Sequence, residues 1–390
     1  MDLTMSEDQE TLLRTAREFL ENECPPSLIR EVEPTEKGYS EPLWKQMADL
    51  GWLGLMYPEN YGGAGLTLGE GVVLMEEIGR AILPSPYFST VILSGLVILE
   101  AGSEAQKNEY LPAIARGEKI LSPAFLEESI TYEPDGVTLK VTTINGIDYY
   151  LDGIKLFAHN AHIADRILVA ARTSYTGLPS HGVTLFLIDP KSQGLTITQT
   201  ETLAGDKQFE LAFNNVRVTR DNVIGEWDNG WAPLSKVIQQ ATVLQCAEII
   251  GCGERVREWS LEFAKTRVQY GRPIGFYQAI QHKCVSMIRN ITGARALTYV
   301  AAGAAVQGVP IARRQVAVAK AYCSDTAHFI AYEGHQIFAG IGYMESHDMQ
   351  LYSRRLKAME FSMGDGDYHR SLLADEVAET GLSLETLWPA

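Results

Sequence analysis

Hydrophobic positions follow a helical period at the start of the chain. Leu12, Leu13, Ala16, Phe19 and Leu20 recur at spacings of three and four, which places them on one stripe of a helix. Ser6-Glu7-Asp8-Gln9 just ahead of them fits a capping box. Glu41 to Leu50 predicts a short helix and Leu68 to Leu83 a further one, with Gly62-Gly63-Ala64-Gly65 as a turn-rich break between them. That glycine cluster lacks the Lys-Ser/Thr ending and the preceding strand of a phosphate loop, so it reads as a plain loop. Near Ile120 the pattern changes. Val137–Val141, Ile167–Ala171, Val183–Ile188, Leu195–Thr198 and Phe209–Phe213 are short β-rich runs, and Asn145-Gly146 and Asp152-Gly153 are hairpin-type dipeptides. Strands without intervening helices predict an antiparallel sandwich or barrel, not a Rossmann unit. From Trp231 helices return, over Val237–Thr266, Ala279–Val306 and Ile311–Phe338, with Gly308-Val309-Pro310 between the last two. Runs of that length predict an antiparallel bundle. The expected fold is mainly α with a central β domain: an N-terminal helical domain over 1–119, a β domain over 120–228 and a C-terminal helix bundle over 229–390.

Composition narrows the function. The 390 residues are 46% hydrophobic and 21% charged, as in an ordinary globular protein. The formal net charge of −16 argues against nucleic acid, whose phosphates require a basic surface. It leaves room for an anionic ligand held by a local basic cluster. The five cysteines, Cys24, Cys246, Cys252, Cys284 and Cys323, form no CxxC pair, which disfavours a disulfide framework or zinc site and points to a reducing cytoplasm. The acidic start Met1-Asp2-Leu3-Thr4 has no basic n-region followed by an apolar run, so no signal or transit peptide is expected. No apolar run is long enough to span a bilayer.

Four segments carry a family resemblance. Phe263-Ala-Lys-Thr-Arg-Val-Gln-Tyr-Gly-Arg-Pro-Ile-Gly-Phe-Tyr-Gln-Ala-Ile-Gln-His282 resembles the most recognisable stretch of the acyl-CoA dehydrogenases. Gly51 to Leu66 looks like that family's N-terminal loop, Phe213 to Gly225 with Gly230-Trp231 like the end of its β domain, and His335 to Tyr343 like its C-terminal Gln-x-x-Gly-Gly-x-Gly-Tyr run. The resemblance covers nearly the whole chain. It implies FAD chemistry on an acyl-CoA substrate. A carboxylate removes the α-proton of the thioester, the flavin accepts a hydride from the β-carbon, and hydrogen bonds to the thioester carbonyl stabilise the enolate. The electrons then leave to an electron-transferring flavoprotein.

The resemblance also assigns residues. Arg267 matches the arginine that reaches a neighbouring subunit's FAD pyrophosphate; a surface ion pair with Glu262 is the plainer alternative. Gln269 and Tyr270 share that turn and could contact the adenosine half, with core packing an equal reading for Tyr270. Gln278 matches a glutamine that bonds the neighbour's cofactor, with helix capping as the alternative. Gln336 and Gly340 match further cross-subunit contacts, where glycine permits close approach to a pyrophosphate. The first glycine of that pair is replaced by Ala339.

Elsewhere the chain departs from the family. Leu126-Glu-Glu-Ser-Ile-Thr-Tyr-Glu-Pro134 stands where a Thr-Glu-Pro-x-x-Gly-Ser-Asp-like motif contacts the chain's own flavin, and leucine has no donor to offer. Lys155-Leu-Phe-Ala-His-Asn160 stands for Lys-x-Trp-Ile-Thr/Ser-Asn; Phe157 could still cover a ring, while His159 replaces a small hydroxyl residue. The catalytic glutamate falls on Met363, and the alternative base position on Ala241. Asp365 and Asp367 lie close to the first, although Gly364 to Arg370 reads more simply as a polar loop and helix start. Three readings follow. The leading one is a partner-type subunit of a heteromeric acyl-CoA dehydrogenase that acts on a bulky or dicarboxylic acyl-CoA, lends Arg267, Gln278 and Gln336 to an FAD held mainly by a related subunit, and has no catalytic residue of its own. The second is a homotetramer with Asp365 as substitute base. The third is a non-enzymatic descendant.

Overall fold

The computed structural model describes residues 5–143, 146–175, 177–307 and 311–380. Asn145 and Gly308-Val309-Pro310 lie outside them. Helix α1 (Glu7–Glu23) opens on the expected capping box: Ser6 Oγ accepts from Gln9 N and Gln9 Oε1 from Ser6 N. Helices α2 (Pro26–Val32), α3 (Glu41–Asp49) and α4 (Leu68–Ala81) follow. Helix α4 stops short of Leu83 because Ile82 turns to φ +43°. A π-helix, Phe88–Gly95, runs into α5 (Leu96–Ala101), and α6 (Glu104–Ala115) closes this stretch.

Strands β1 (Leu121–Ala124), β2 (Lys140–Thr143), β3 (Tyr149–His159), β4 (Arg166–Arg172), β5 (Val183–Ile188), β6 (Leu195–Thr200), β7 (Gln208–Val218) and β8 (Val223–Ile224) form an eight-stranded sheet in the order β6-β7-β3-β2-β4-β5-β8, with β1 beside β4. Most pairings are antiparallel, as expected, but β1–β4 and β2–β4 are parallel. Two local expectations fail for identifiable reasons. Val137 to Leu139 is not strand, because the Thr138 and Leu139 amides donate to the Glu127 carboxylate at 2.9 and 3.0 Å instead of to a ladder. Asp152-Gly153 is no hairpin: it lies inside β3, where the register against β7 slips between Leu151 and Gly153 and Gly153 takes φ +140°. The glycine signal marks a bulge, not a turn.

The C-terminal part holds α7 (Trp231–Thr266), a hairpin of β9 (Val268–Gln269) and β10 (Arg272–Pro273), α8 (Gln278–Gln307), α9 (Ala312–Phe338), α10 (Met349–Phe361) and α11 (Gly366–Thr380). Helix α7 begins at Trp231, ahead of the expected Val237.

The chain divides into two compact units. The helical unit comprises the chain up to Pro26, Leu68–Leu83 and everything from Thr242 on. Within it α4 and α7 meet at backbone contact: a Cβ on Gly79 would lie 2.0 Å from Glu248 O, and one on Gly251 1.7 Å from Glu76 O. Ion pairs flank the crossing, Arg17–Glu77 at 2.7 Å and Arg80–Glu258 at 2.6 Å. The second unit comprises Ser27–Thr67 and Pro84–Ala241. Its core is the sheet, with Leu151, Ile167, Val169, Phe186, Leu211 and Val216 buried.

Candidate functional site

In the helical unit, α7 ends at Thr266 and the chain turns through the β9–β10 hairpin into α8. Gln269 pairs with Arg272 and Val268 with Pro273. The two-residue loop, Tyr270 at φ +53° and Gly271 at φ +82°, has positive φ at both positions, as a type I′ turn requires. Tyr277 braces the loop: its hydroxyl donates to Gln269 O at 3.2 Å and its ring meets Tyr270 edge-on. Every residue assigned here is exposed: Arg267, Gln269, Gln278 and, at 90%, Tyr270. Tyr270 is therefore not a core residue. Arg267 does not pair with Glu262, whose partner is Lys265 at 3.8 Å. Among the described residues the side chains of Arg267, Gln269, Arg272, Gln278 and Gln336 make no hydrogen bond or ion pair. Beside the hairpin lies a mostly apolar cleft of about 310 Å³, lined by Leu261, Ala264, Pro273, Phe276, Ile280 and Cys284 among others.

The end of α9 supplies the second group. Gln336 is exposed, and a Cβ on Gly340 would meet nothing within 4 Å. Ala339 holds φ +52°, ψ −144°, a region that only glycine enters freely. The glycine-type backbone of the family run is thus kept although the residue is alanine. His335 stacks on the exposed ring of Tyr343 with centroids 4.1 Å apart.

The position expected for the catalytic base is sealed. Met363 is 2% exposed and takes φ +60°. His369 Nε2 lies 2.8 Å from Met363 O, so that nitrogen carries the proton. Burial pushes the His369 imidazole down to about 4. The buried Lys320 Nζ has four oxygens within 3.2 Å: Ser324 Oγ and the carbonyls of Met359, Glu360 and Gly364. It ties the end of α10 to the Met363 turn. Burial lowers Lys320 to about 8 against the opposing pull of its neighbours, and the three carbonyls can only accept, so the amine donates to them. Asp365 Oδ1 accepts from Tyr368 N at 2.8 Å, the bond of an N-cap residue to the first turn of α11. Ala241 is fully buried in α7. Glu248 on the same helix accepts from Gln245 Nε2.

In the other unit, the segment after β1 is fastened by a buried ion pair. Lys155 Nζ donates to Glu127 Oε1 at 2.6 Å and to Phe125 O at 3.1 Å. Glu127 also receives the Thr138 amide and hydroxyl and the Leu139 amide. Burial opposes ionisation of Glu127, yet Lys155 and these donors hold it below the ordinary carboxylate range. Burial lowers Lys155 itself to about 8. A second register slip in β3, between Lys155 and Ala158, puts Phe157 at φ +55° and leaves its ring 38% exposed. His159 Nδ1 lies 3.4 Å from Asp206 Oδ2. Asn160, at φ +60°, donates to Ser89 Oγ in the π-helix at 3.0 Å. The bulge is intact, while the side chains around it are bonded to one another. Arg272, Lys320 and the Glu127–Lys155 pair were not singled out from the sequence. The two-residue period of the hairpin was signal enough for Arg272.

Family models for the N-terminal, middle and C-terminal domains of acyl-CoA dehydrogenase match residues 6–118, 130–216 and 228–378. The chain belongs to the acyl-CoA dehydrogenase family. It is 29% identical to a 3-(aryl)acrylate reductase of Clostridium sporogenes, over 95% of this chain and 99% of that one. Butyryl-CoA dehydrogenase of Megasphaera elsdenii superposes with a TM-score of 0.87 at 26% identity, covering 97% of this chain and 100% of that one. A steroid ACAD named Tcur3481-Tcur3483 superposes with a TM-score of 0.86 at 27% identity, again over 97% and 100%. Acyl-CoA dehydrogenases are FAD-dependent oxidoreductases. The two groups of residues fit that cofactor unequally. The hairpin and the end of α9 offer unpaired guanidinium and amide donors and an open glycine, as a pyrophosphate requires. Around the β3 bulge, Glu127 and Lys155 keep the motif's residue types and pair with each other, while Leu126 has no polar side-chain atom, so the side-chain donor that the motif's threonine would offer a flavin ring is missing there. No helix among the described residues is long and apolar enough to cross a membrane, and no metal-binding cluster is found among them.

Proposed function

We propose that this chain is the non-catalytic partner subunit of a heteromeric acyl-CoA dehydrogenase that introduces an α,β double bond into a bulky or dicarboxylic acyl-CoA. The observation that carries the reading is an asymmetry. Arg267, Gln269, Gln278 and Gln336 are exposed donors without partners among the described residues, while Leu126, Met363 and Ala241 stand at the places expected for the chain's own ring donor and base. FAD, when bound, supplies hydride acceptance. This chain's part is to bind its pyrophosphate through Arg267, to offer Gln269, Gln278 and Gln336 as neutral donors, and to let the backbone approach at Gly340, with Tyr270 against the adenosine half. The base that takes the α-proton comes from the related subunit, and the electrons pass to an electron-transferring flavoprotein. The two-part name of the steroid ACAD is consistent with such pairing. The same reading places the protein in the cytoplasm and keeps domain limits at 119/120 and 228/229. A self-sufficient enzyme using Asp365 draws no support from the loop, where one oxygen of that carboxylate caps α11. A non-enzymatic descendant leaves the unpaired donors without a purpose.

The test is flavin per polypeptide. The chain alone should carry none, and the chain with its related subunit about one FAD per pair. One FAD per chain in isolation sinks the proposal.

A further inference from the structure

We propose that Arg272 is a second anchor for the pyrophosphate, on the same face of the hairpin as Arg267 and Gln269, an inference that rests on the cross-subunit FAD reading above. Side chains alternate faces along a strand. Arg267 and Gln269 are two apart, Gln269 pairs with Arg272, and Ile274 N donates to Arg267 O at 2.9 Å, which continues the register. The period therefore sends Gln269 and Arg272 to one side and Val268 and Pro273 to the other, and Arg267, at the junction of α7 and the ladder, is in step with the first pair. Two guanidiniums and an amide on one face match the two charges and the bridging geometry of a pyrophosphate diester.

Three further observations separate Arg272 from an ordinary solubilising arginine. The chain carries a net charge of −16, yet neither Arg267 nor Arg272 has a carboxylate partner among the described residues. The nearby Lys265 has one. The Arg272 guanidinium sits 5.7 Å from the Tyr277 ring centroid and 5.9 Å from that of Phe276, within reach of a cation–π attraction that limits its rotamers. Its strand is held by Pro273, the tight Tyr270-Gly271 turn and the Tyr277 hydroxyl bond to Gln269 O. A charge fixed beforehand loses little freedom on binding.

The experiment uses the assembly purified through a tag on this chain, stripped of flavin and titrated with FAD, with flavin fluorescence as the readout. Loss of one charge-assisted contact predicts that Arg272→Ala weakens FAD binding about 10- to 100-fold. Arg272→Lys should recover part of the affinity, since it keeps the charge and loses the fork. Unaltered FAD affinity in Arg272→Ala, alongside weakened binding in Arg267→Ala, overturns this proposal and leaves the cross-subunit reading standing. Unaltered affinity in both variants overturns both. Two other results reject the anchor role. One is a weaker subunit association with FAD affinity unchanged, which would make Arg272 an ion-pair partner for the neighbour. The other is weaker binding of CoA, titrated in parallel, with FAD binding unaffected, which would assign Arg272 to the substrate's pyrophosphate.

Discussion

Replacing Ala339 by glycine should make the protein more stable, contrary to the usual effect of glycine next to a helix. Ala339 ends α9 at φ +52°, ψ −144°, its amide donating to His335 O. An L-residue there crowds its Cβ against its own backbone, at a cost on the order of 1–3 kcal/mol. The glycine variant removes that strain but adds about 0.5–1 kcal/mol of unfolded-state entropy. Ala339 is exposed, so little packing is lost. The expected net gain is about 0.5–2 kcal/mol. Urea unfolding followed by helical circular dichroism reads it as a raised midpoint at unchanged slope. Ala374→Gly, in the exposed interior of α11, is the control and should lose about 1 kcal/mol. Ala339→Val should also destabilise, since a β-branched residue tolerates positive φ still less. An Ala339→Gly midpoint at or below that of the unaltered chain would show that the backbone relaxes to accommodate alanine, and the strain argument would fail.

The buried His369 predicts acid sensitivity. Its pKa falls from 6.5 to about 4 on folding, so the unfolded chain binds the proton more readily; about 3 kcal/mol present above pH 6.5 is lost as pH falls toward 4, and His369→Phe should flatten that limb of a stability-against-pH curve. Lys155→Met strands the Glu127 carboxylate in the core and should cost about 3–5 kcal/mol, with Glu127→Gln added to it recovering part, as thermal unfolding of the two variants would record. Gly251→Val drives a side chain into the Glu76 carbonyl and should abolish soluble folded protein, whereas Gly146→Ala, where a Cβ meets nothing within 4 Å, should leave the yield within about twofold, its φ of +72° costing only on the order of 1 kcal/mol.

Much of this fold is legible because its signals are local. The capping box at Ser6, the stripe from Leu12 to Leu20 and the apolar run Val183–Ile188 each depend on residues within a few positions, and each element forms where its pattern lies. Local composition misleads where a distant partner decides. Val137 to Leu139 has strand composition, but a carboxylate more than ten positions earlier takes its amides. Asp152-Gly153 has hairpin composition, but β7 runs past both sides of it and the glycine serves as a bulge. Lys320 has no local signature. Its role depends on three carbonyls around forty positions away that meet it only after the end of α10 and the turn that follows it pack against α9.

The same distinction bears on the site. Leu126 and His159 could be read from the sequence only as losses, since a motif shows what is missing and not what has taken its place. The structure shows what stands there: His159 lies beside Asp206, while Glu127, Lys155 and Asn160, which keep the motif's residue types, are bonded to one another or to Ser89. A site that had merely decayed would leave buried polar groups without partners, each costing about 1–3 kcal/mol. Here Glu127, Lys155, His159 and Asn160 around the β3 bulge have partners, while the side chains of Arg267, Gln269 and Arg272 make no hydrogen bond or ion pair among the described residues. Arg267 and Arg272 remain exposed in a strongly acidic chain, on either side of the two-residue Tyr270-Gly271 turn. Selection for stability alone accounts for the first arrangement. The second is the arrangement that the proposed cross-subunit pyrophosphate contact would use.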